Sequence, residues 1–90
     1  MIKYKLIKSK EFKKAVKKLN QKDIDLLIEV LDKLINNQTL EPKHKDHKLK
    51  GKYKDLRECH IKPDLLLIYQ KLEKELILIA INIGSHSDLF

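Results

Sequence analysis

The distribution of apolar and polar positions predicts one strand followed by two helices. In residues 2–6, apolar residues alternate with lysines, which is the pattern of a strand with one buried face. Ser9 and Asn20 are suitable N-caps, and each precedes a segment with apolar residues at helical spacing. The second segment is the more regular, with apolar residues at Ile24, Leu27, Ile28, Leu31, Leu34 and Ile35. Two helices joined by a tight link are expected to pack as a hairpin on one face of a sheet.

The second half of the chain predicts strands. Residues 65–69 are consecutive apolar residues after a Pro-Asp turn signal, which is typical of a buried central strand. Residues 56–61 are expected to pair with it antiparallel across that turn, and residues 76–81 to form a further strand. The predicted fold is α+β in a single domain over residues 1–90, with an N-terminal strand and a two-helix hairpin packed on an antiparallel sheet of about four strands.

The positive charge is concentrated in the first part of the chain. Residues 1–54 contain 16 lysines and 7 acidic residues, a balance of +9, whereas residues 55–90 contain 4 basic and 6 acidic residues, a balance of −2. This asymmetry suggests an anionic partner, either nucleic acid or an acidic protein segment. An anionic membrane is a poorer fit, because large exposed aromatic residues do not accompany the basic stretches.

The sequence also indicates where the protein acts. It has no apolar run near the roughly 18 residues of a membrane span and no signal-peptide core, so we expect a cytoplasmic protein. Its single cysteine, Cys59, cannot form an internal disulfide, which agrees with a reducing compartment. Because Cys59 lies in an apolar strand, we expect it to be a small core residue.

Residues 43–54 are lysine-rich and interrupted by Gly51. Four of their lysines occupy alternate positions: Lys48, Lys50, Lys52 and Lys54. In an extended segment these lysines would project to one side and could follow a phosphate backbone, and Tyr53 between them could stack on a base. A flexible, solvated loop is the alternative interpretation.

The four histidines do not have the spacing of a metal site. His44 and His47 are three positions apart in a segment that is not predicted to be helical, and the adjacent Cys59 and His60 would point to opposite faces of a strand. We therefore expect neither a metal nor another cofactor.

Acid–base chemistry is the better use of these side chains. His60 and Asp64 are expected to lie close across the turn at Pro63, where each could tune the other for proton transfer, although a purely structural polar turn is the alternative. RNA can be cleaved without a metal when its 2′-OH attacks the adjacent phosphorus, which requires a base, an acid and a cation. Histidines, a carboxylate, Arg57 and lysines can supply these groups, so the composition permits a ribonuclease.

Three motifs resemble those of YafQ-type toxins of the RelE superfamily. They are KDHKLKG in residues 45–51, RECHIKPDLLLIY in residues 57–69 and GSHSDLF in residues 84–90. The resemblance implies a RelE-like fold and a toxin of a type II toxin–antitoxin system that cleaves mRNA, in the best-known members at the ribosomal A site. It also implies a cognate antitoxin, acidic where it wraps the toxin, through which alone the toxin would reach operator DNA.

The resemblance also implies functional positions in this chain, at His47, His60, Asp64, His86 and Phe90. His86 would be the general acid and His47 the general base, with His60 and Asp64 orienting groups or stabilising charge. Phe90 would stack on a base, and Arg57 could contact RNA or form a structural ion pair with Glu58.

The chain departs from the family pattern at several positions. Asn82 stands where relatives commonly have an arginine, so a fixed cation near the scissile phosphate is absent. Leu65 replaces a tryptophan of some relatives, and His44 matches no functional residue and is expected to be solvated. These departures keep two alternatives open: a non-catalytic toxin of the same fold that binds the ribosome or nucleic acid, and a ParE-like gyrase inhibitor, which would not explain the histidines.

Overall fold

A computed structural model describes residues 2–90 as five strands and three helices around one mixed sheet. The elements are β1 (Lys5–Lys8), α1 (Lys10–Val16), α2 (Gln21–Ile35), β2 (His47–Lys48), β3 (Arg57–Lys62), β4 (Leu65–Leu72), β5 (Ile77–Gly84) and α3 (His86–Leu89). Two 3₁₀ turns, Pro42–His44 and Gly51–Tyr53, flank β2. Across residues 2–90, no helix has the length and apolar character needed to cross a membrane.

The strand order is β1-β5-β4-β3-β2, with β4 at the centre as predicted. The α+β class and the antiparallel pairing of β3 with β4 are confirmed. Two details of the predicted sheet differ: it has five strands rather than about four, and β1 pairs in parallel with β5. The fifth strand is β2, which at two residues is too short to produce an alternating sequence pattern.

Both main helices begin at the predicted N-cap residues. The Ser9 hydroxyl accepts a hydrogen bond from the Phe12 backbone N–H, and the Asn20 side chain accepts one from the Asp23 N–H. The apolar sides of α1 and α2 pack on one face of the sheet and bury residues that include Phe12, Leu27, Val30, Leu31, Leu34, Cys59, Leu67, Tyr69 and Leu78. This face is called the helix-covered face below.

Alternation along β3 divides its side chains between the two faces of the sheet. Cys59 and Ile61 belong to the core under the helices, and Cys59 is fully buried as predicted. Glu58 and His60 therefore point to the opposite face, called the open face below. The strand thus places titratable groups outside the helix-packed core.

Candidate active site

A buried carboxylate, Glu58, lies at the centre of a histidine cluster on the open face. Glu58 is 6% exposed, and its Oε1 lies 3.9 Å from His47 Nε2 and 3.8 Å from His60 Nε2. The His60 ring meets the His86 ring edge to face, with 5.9 Å between centroids, and His86 Nδ1 lies 3.5 Å from Asp64 Oδ1. The structure thus brings three residues predicted to be catalytic, His47, His60 and His86, together around Glu58, and places the fourth, Asp64, against His86.

The sheet register explains this convergence. His47 on β2 is the Cα partner of Glu58 on β3, so both side chains project from the same face. Glu58 and His60 are two residues apart on one strand and also share that face. His60 pairs with Leu66, which in turn pairs with Gly84, so the end of β5 that leads into His86 lies two strands away from His60.

The turn into α3 fixes the position of His86. Ser85 and Asp88 form a capping box, in which each side chain accepts a hydrogen bond from the other residue's backbone N–H. A Cβ on Gly84 would lie 2.9 Å from the Asp88 Cβ, so only glycine fits beneath this box. The capping hydrogen bonds lower the pKa of Asp88, which keeps its carboxylate ionised.

The hydrogen bonds of His47 define its tautomer. Its Nδ1 lies 2.5 Å from the Lys45 carbonyl oxygen, which can only accept, so Nδ1 carries the hydrogen. In the neutral ring Nε2 therefore carries the lone pair, on the side that faces Glu58. Lys45 has φ 45°, a left-handed conformation that reverses the chain just before His47. This arrangement suits His47 for accepting a proton.

The expected pairing of His60 with Asp64 is wrong. Within residues 2–90, the ion-pair distances join His60 to Glu58 and Asp64 to His86. Asp64 lies in the turn that follows β3, and its side chain is 76% exposed. Glu58 therefore faces His47 and His60 in the buried part of the site, and Asp64 contacts His86 at its solvent-exposed edge.

Arg57 does not pair with Glu58. Alternation puts Arg57 on the helix-covered face, where its Nη2 lies 3.3 Å from Asp46 Oδ2 and its Nε donates to the Tyr69 hydroxyl at 3.1 Å. The Tyr69 hydroxyl donates in turn to Asp46 Oδ1. Burial, and secondly this hydrogen bond, raises the pKa of Tyr69 well above its usual value. Arg57 therefore belongs to a structural ion pair, and because its side chain is still 27% exposed, its contact with RNA stays a prediction.

The predicted row of lysines does not form. Lys48 lies in β2, but the 3₁₀ turn Gly51–Tyr53 interrupts the alternation needed to align it with Lys50, Lys52 and Lys54. Gly51 has φ 68°, which only glycine adopts without strain, so the segment curls instead of extending. RNA contact by these lysines stays a prediction, without the predicted geometry.

Two aromatic residues predicted to bind RNA lie together. The rings of Tyr53 and Phe90 pack edge to face with centroids 6.1 Å apart, and Lys52 Nζ lies 5.1 Å from the Tyr53 centroid. Phe90 remains 57% exposed. The pair joins the end of α3 to the lysine-rich segment and leaves ring surface available for stacking.

His44 is not solvated, contrary to expectation. It is 8% exposed, and its Nδ1 lies 2.7 Å from the His60 carbonyl oxygen.

Asn82 pairs with Ile68, the strand partner of Glu58, and so continues the row of Glu58 across the sheet. Its Oδ1 accepts a hydrogen bond from the Ile83 N–H, and its neutral amide supplies no fixed cation.

Sequence reasoning did not identify Glu58 as a member of the site. The available signal was its spacing of two residues from His60, which places both on the same face of a strand.

One ligand atom each from Glu58, His60 and His86 lie within 4.8 Å of one another. Two imidazoles and a carboxylate are a suitable donor set for Zn²⁺ or Cu²⁺, which the spacing along the chain did not reveal.

Comparison with known proteins identifies related sequences and structures. Residues 4–90 match the family described as the bacterial toxin of type II toxin–antitoxin system, YafQ. The mRNA interferase toxin YafQ of Escherichia coli strain K12 is 39% identical over 83 residues, which cover 91% of this chain and 86% of that protein.

Two solved structures have the same fold at high coverage. A metal-bound toxin from Helicobacter pylori superposes with a TM-score of 0.86 at 44% identity, covering 97% of this chain and 99% of that chain. The Escherichia coli DinJ–YafQ toxin–antitoxin complex gives a TM-score of 0.85 at 35% identity, covering 99% of each chain.

Proposed function

The chain belongs to the YafQ family of toxins of type II toxin–antitoxin systems, and on that basis we propose that it is an endoribonuclease that cleaves mRNA. The observation that supports this most is the convergence of His47, His60 and His86 around Glu58. Imidazoles that share a buried carboxylate can exchange protons near neutral pH, as cleavage of a phosphodiester requires.

In the proposed reaction, the RNA 2′-OH attacks the adjacent phosphorus. His47 Nε2 takes the hydroxyl proton as the 2′-O–P bond forms, and protonated His86 gives a proton to the 5′-oxygen as the P–O5′ bond breaks. The products are a 2′,3′-cyclic phosphate and a free 5′-hydroxyl. His47 accepts the proton that the 2′-OH loses and His86 supplies the proton that the 5′-oxygen gains, so the proposed step requires no metal.

Charge stabilisation must come from titratable groups, because Asn82 is neutral. Glu58 Oε1 lies within 4 Å of both His47 Nε2 and His60 Nε2, so its carboxylate faces both rings. A protonated His60, next to the His86 ring, would then face the developing negative charge of the phosphorane. Asp64 would orient His86 through their contact at the entrance of the site.

Replacement of His86 by alanine tests the catalytic proposal. His86→Ala should abolish growth arrest in bacteria and cleavage of mRNA by the purified protein, and the neighbouring Ser87→Ala serves as the matched control. Equal arrest and equal cleavage for His86→Ala and the wild type would exclude this mechanism. Arrest without RNA cleavage would support a non-catalytic toxin, and DNA-damage signalling without RNA cleavage would support a gyrase inhibitor.

We also propose that the toxin acts on translating ribosomes. Exposed lysines in α1 and in the turn that follows it could contact ribosomal RNA: Lys10, Lys13 and Lys14 in the helix, and Lys17 and Lys18 after it. Replacing Lys13 and Lys17 by glutamine should weaken cleavage of mRNA during translation more than cleavage of the same RNA free in solution. An equal reduction in both assays would contradict a role in ribosome binding.

An acidic antitoxin is the proposed protein partner. An apolar groove of about 620 Å³ lies between α1 and α2, and its lining includes Ile28, which is 57% exposed. Its charged lining residues are three lysines and one carboxylate: Lys8, Lys13, Lys17 and Asp32. An amphipathic acidic segment would bury this surface and neutralise the lysines. Ile28→Asp should weaken antitoxin binding in calorimetry but not RNA cleavage, whereas unchanged affinity would place the antitoxin elsewhere. Operator DNA would then be bound only through the antitoxin.

A transition-metal ion is a second candidate ligand of the site. The donor set of Glu58, His60 and His86 suits such an ion, and a related Helicobacter pylori toxin is described as metal-bound. A bound ion would act as a Lewis acid, but it would also occupy groups that the proposed proton transfers use. Chelator-treated protein should therefore cleave RNA at full rate, and Cu²⁺ should bind in calorimetry and slow cleavage. Cleavage that requires added metal would contradict the metal-independent mechanism.

A further inference from the structure

The buried His44 lies outside the histidine cluster but contacts its backbone. It ends the 3₁₀ turn Pro42–His44, and its ring is 8% exposed. Its Nδ1 lies 2.7 Å from the carbonyl oxygen of His60. A carbonyl oxygen can only accept, so the neutral or protonated ring must carry a hydrogen on Nδ1 and donate it there. The contact joins two segments that are 16 residues apart in sequence.

The strand is irregular at the point where this hydrogen bond forms. The β3–β4 register shifts between His60 and Lys62, which leaves a bulge directly after His60. A bulge interrupts the ladder that would otherwise hold the strand, so the backbone at His60 depends more on other partners. The His44 ring supplies such a partner from outside the sheet.

Packing alone leaves room for this backbone to move. A hollow of about 400 Å³ lies beside both histidines, between the bulge and α2, and is lined in part by Val30, Ile61 and Pro63. On the opposite side, the His60 ring has Glu58 Oε1 at 3.8 Å and the His86 ring at a centroid distance of 5.9 Å. A shift of the His60 backbone toward the hollow would lengthen both contacts.

We propose that His44 is a positioning residue for RNA cleavage: its Nδ1–H holds the His60 carbonyl and so fixes the His60 ring between Glu58 and His86. His44 itself touches neither the RNA nor the reacting atoms. The proposal rests on the ribonuclease function proposed above. A displacement of about 1 Å in a catalytic group can reduce the rate by about 100-fold, so one lost hydrogen bond is sufficient for a large effect.

Two substitutions separate the hydrogen bond from the bulk of the ring. His44→Phe keeps a ring of similar size but removes the donor, whereas in His44→Asn the side-chain amide can place an N–H near the position of Nδ1. We expect His44→Phe to lower kcat by about 10- to 100-fold with KM unchanged, because His60 is misplaced while RNA binding is intact. His44→Asn should recover most of that loss.

A core variant controls for loss of stability. Leu31→Ala removes a buried side chain of α2 and should destabilise the fold without changing the contacts of His60. Assayed under conditions in which every variant is folded, His44→Phe should lose kcat and Leu31→Ala should not. Equal kcat for His44→Phe and the wild type, or an equal loss in His44→Asn and His44→Phe, would overturn the proposal.

Nuclear magnetic resonance of the wild type tests the proposal without an activity assay. Long-range ¹H–¹⁵N spectra should show a hydrogen on His44 Nδ1, and the His60 ring signals should shift in His44→Phe but not in Leu31→Ala. A His44 ring with hydrogen only on Nε2, or unshifted His60 signals, would overturn the positioning role even if the wild type cleaves RNA. If the wild type does not cleave RNA but these shifts occur, the ribonuclease proposal fails while the structural contact stands.

Discussion

Asp46 and Glu58 are both carboxylates with cationic neighbours, but they lie on opposite faces of the sheet and have different kinds of partner. Asp46 contacts Arg57, whose charge is fixed, and accepts a hydrogen bond from Tyr69. Glu58 lies between His47 and His60, whose imidazole rings can both accept and donate a proton. Arg57, which contacts Asp46, and Glu58 are adjacent on β3, so alternation along that strand sends their side chains to opposite faces.

This difference separates a structural cluster from a reactive one. A guanidinium and a carboxylate that stay ionised at all moderate pH values can hold a loop in place but cannot transfer protons. A carboxylate between two imidazoles can stabilise either ring in its charged form and so support transfer. The contacts of Asp46 with Arg57 and Tyr69 hold the segment that leads into His47. That segment places His47 next to Glu58.

Of the two carboxylates, Glu58 is expected to have the larger effect on the rate when its charge is removed. Glu58→Gln should lower kcat by about 10²- to 10⁴-fold, because the carboxylate that faces the two imidazoles is lost from the proton-transfer site. Stability should change little, because the cost of burying a carboxylate disappears with the charge. Single-turnover RNA cleavage and urea unfolding measure the two effects, with the exposed Glu41→Gln as control. A rate within a few-fold of the wild type would place Glu58 among structural residues.

The opposite pattern is expected for Asp46. Asp46→Asn should lower the free energy of unfolding by about 1–3 kcal/mol, since it weakens charge-assisted hydrogen bonds from Arg57 and Tyr69. The rate should fall less than in Glu58→Gln. Urea unfolding of Asp46→Asn, Tyr69→Phe and the double variant gives the coupling energy, with the exposed Asp55→Asn as control. Additive losses would show that the cluster does not act as a unit.

The same comparison shows what the sequence could predict. Strong periodicity located α2 and the apolar strand at residues 65–69, and N-cap chemistry located the starts of both main helices. Glu58 and His60 had a recognisable spacing, but His47 joins them through a two-residue strand that has no periodic signal. Side chains from distant segments can be assigned to a cluster only when the register between their strands is known.

Which side chain each residue of the site contacts was harder to predict than which residues belong to the site. Adjacent Arg57 and Glu58 suggested a pair, but alternation along a strand sends neighbours to opposite faces. The turn at Pro63 suggested that Asp64 would meet His60, whereas α3 brings His86 there instead. Gly51 indicated a break in the lysine-rich segment, but its left-handed turn also removed the expected alternation.

Stability at high pH should report on the helix-covered face. Burial raises the pKa of both Cys59 and Tyr69 above the reference values of 9.0 and 10.0. Their contribution is therefore complete below about pH 9 and decreases at higher pH, where the unfolded chain releases protons that the folded chain retains. The free energy of unfolding should fall by up to about 1.4 kcal/mol per pH unit for each group. Cys59→Ala should reduce this slope in urea unfolding, and exposed Tyr53→Phe should not.

The smallest effects are expected at the exposed lysines around the 3₁₀ turn Gly51–Tyr53. Because the segment curls at Gly51, each of Lys50, Lys52 and Lys54 should act as a separate surface charge, and not as part of one aligned row. Each alanine variant that loses a phosphate contact should reduce the slope of log affinity against log salt by about 0.7. Over a fourfold change in salt, this corresponds to a change of about threefold in the affinity ratio of wild type to variant. Lys52→Ala should have an additional, salt-independent loss, because its Nζ lies over the Tyr53 ring that packs against Phe90. Filter binding to a noncleavable RNA at several salt concentrations measures both terms. If the three variants weaken binding cooperatively, the lysines act together, and the segment must extend when RNA binds.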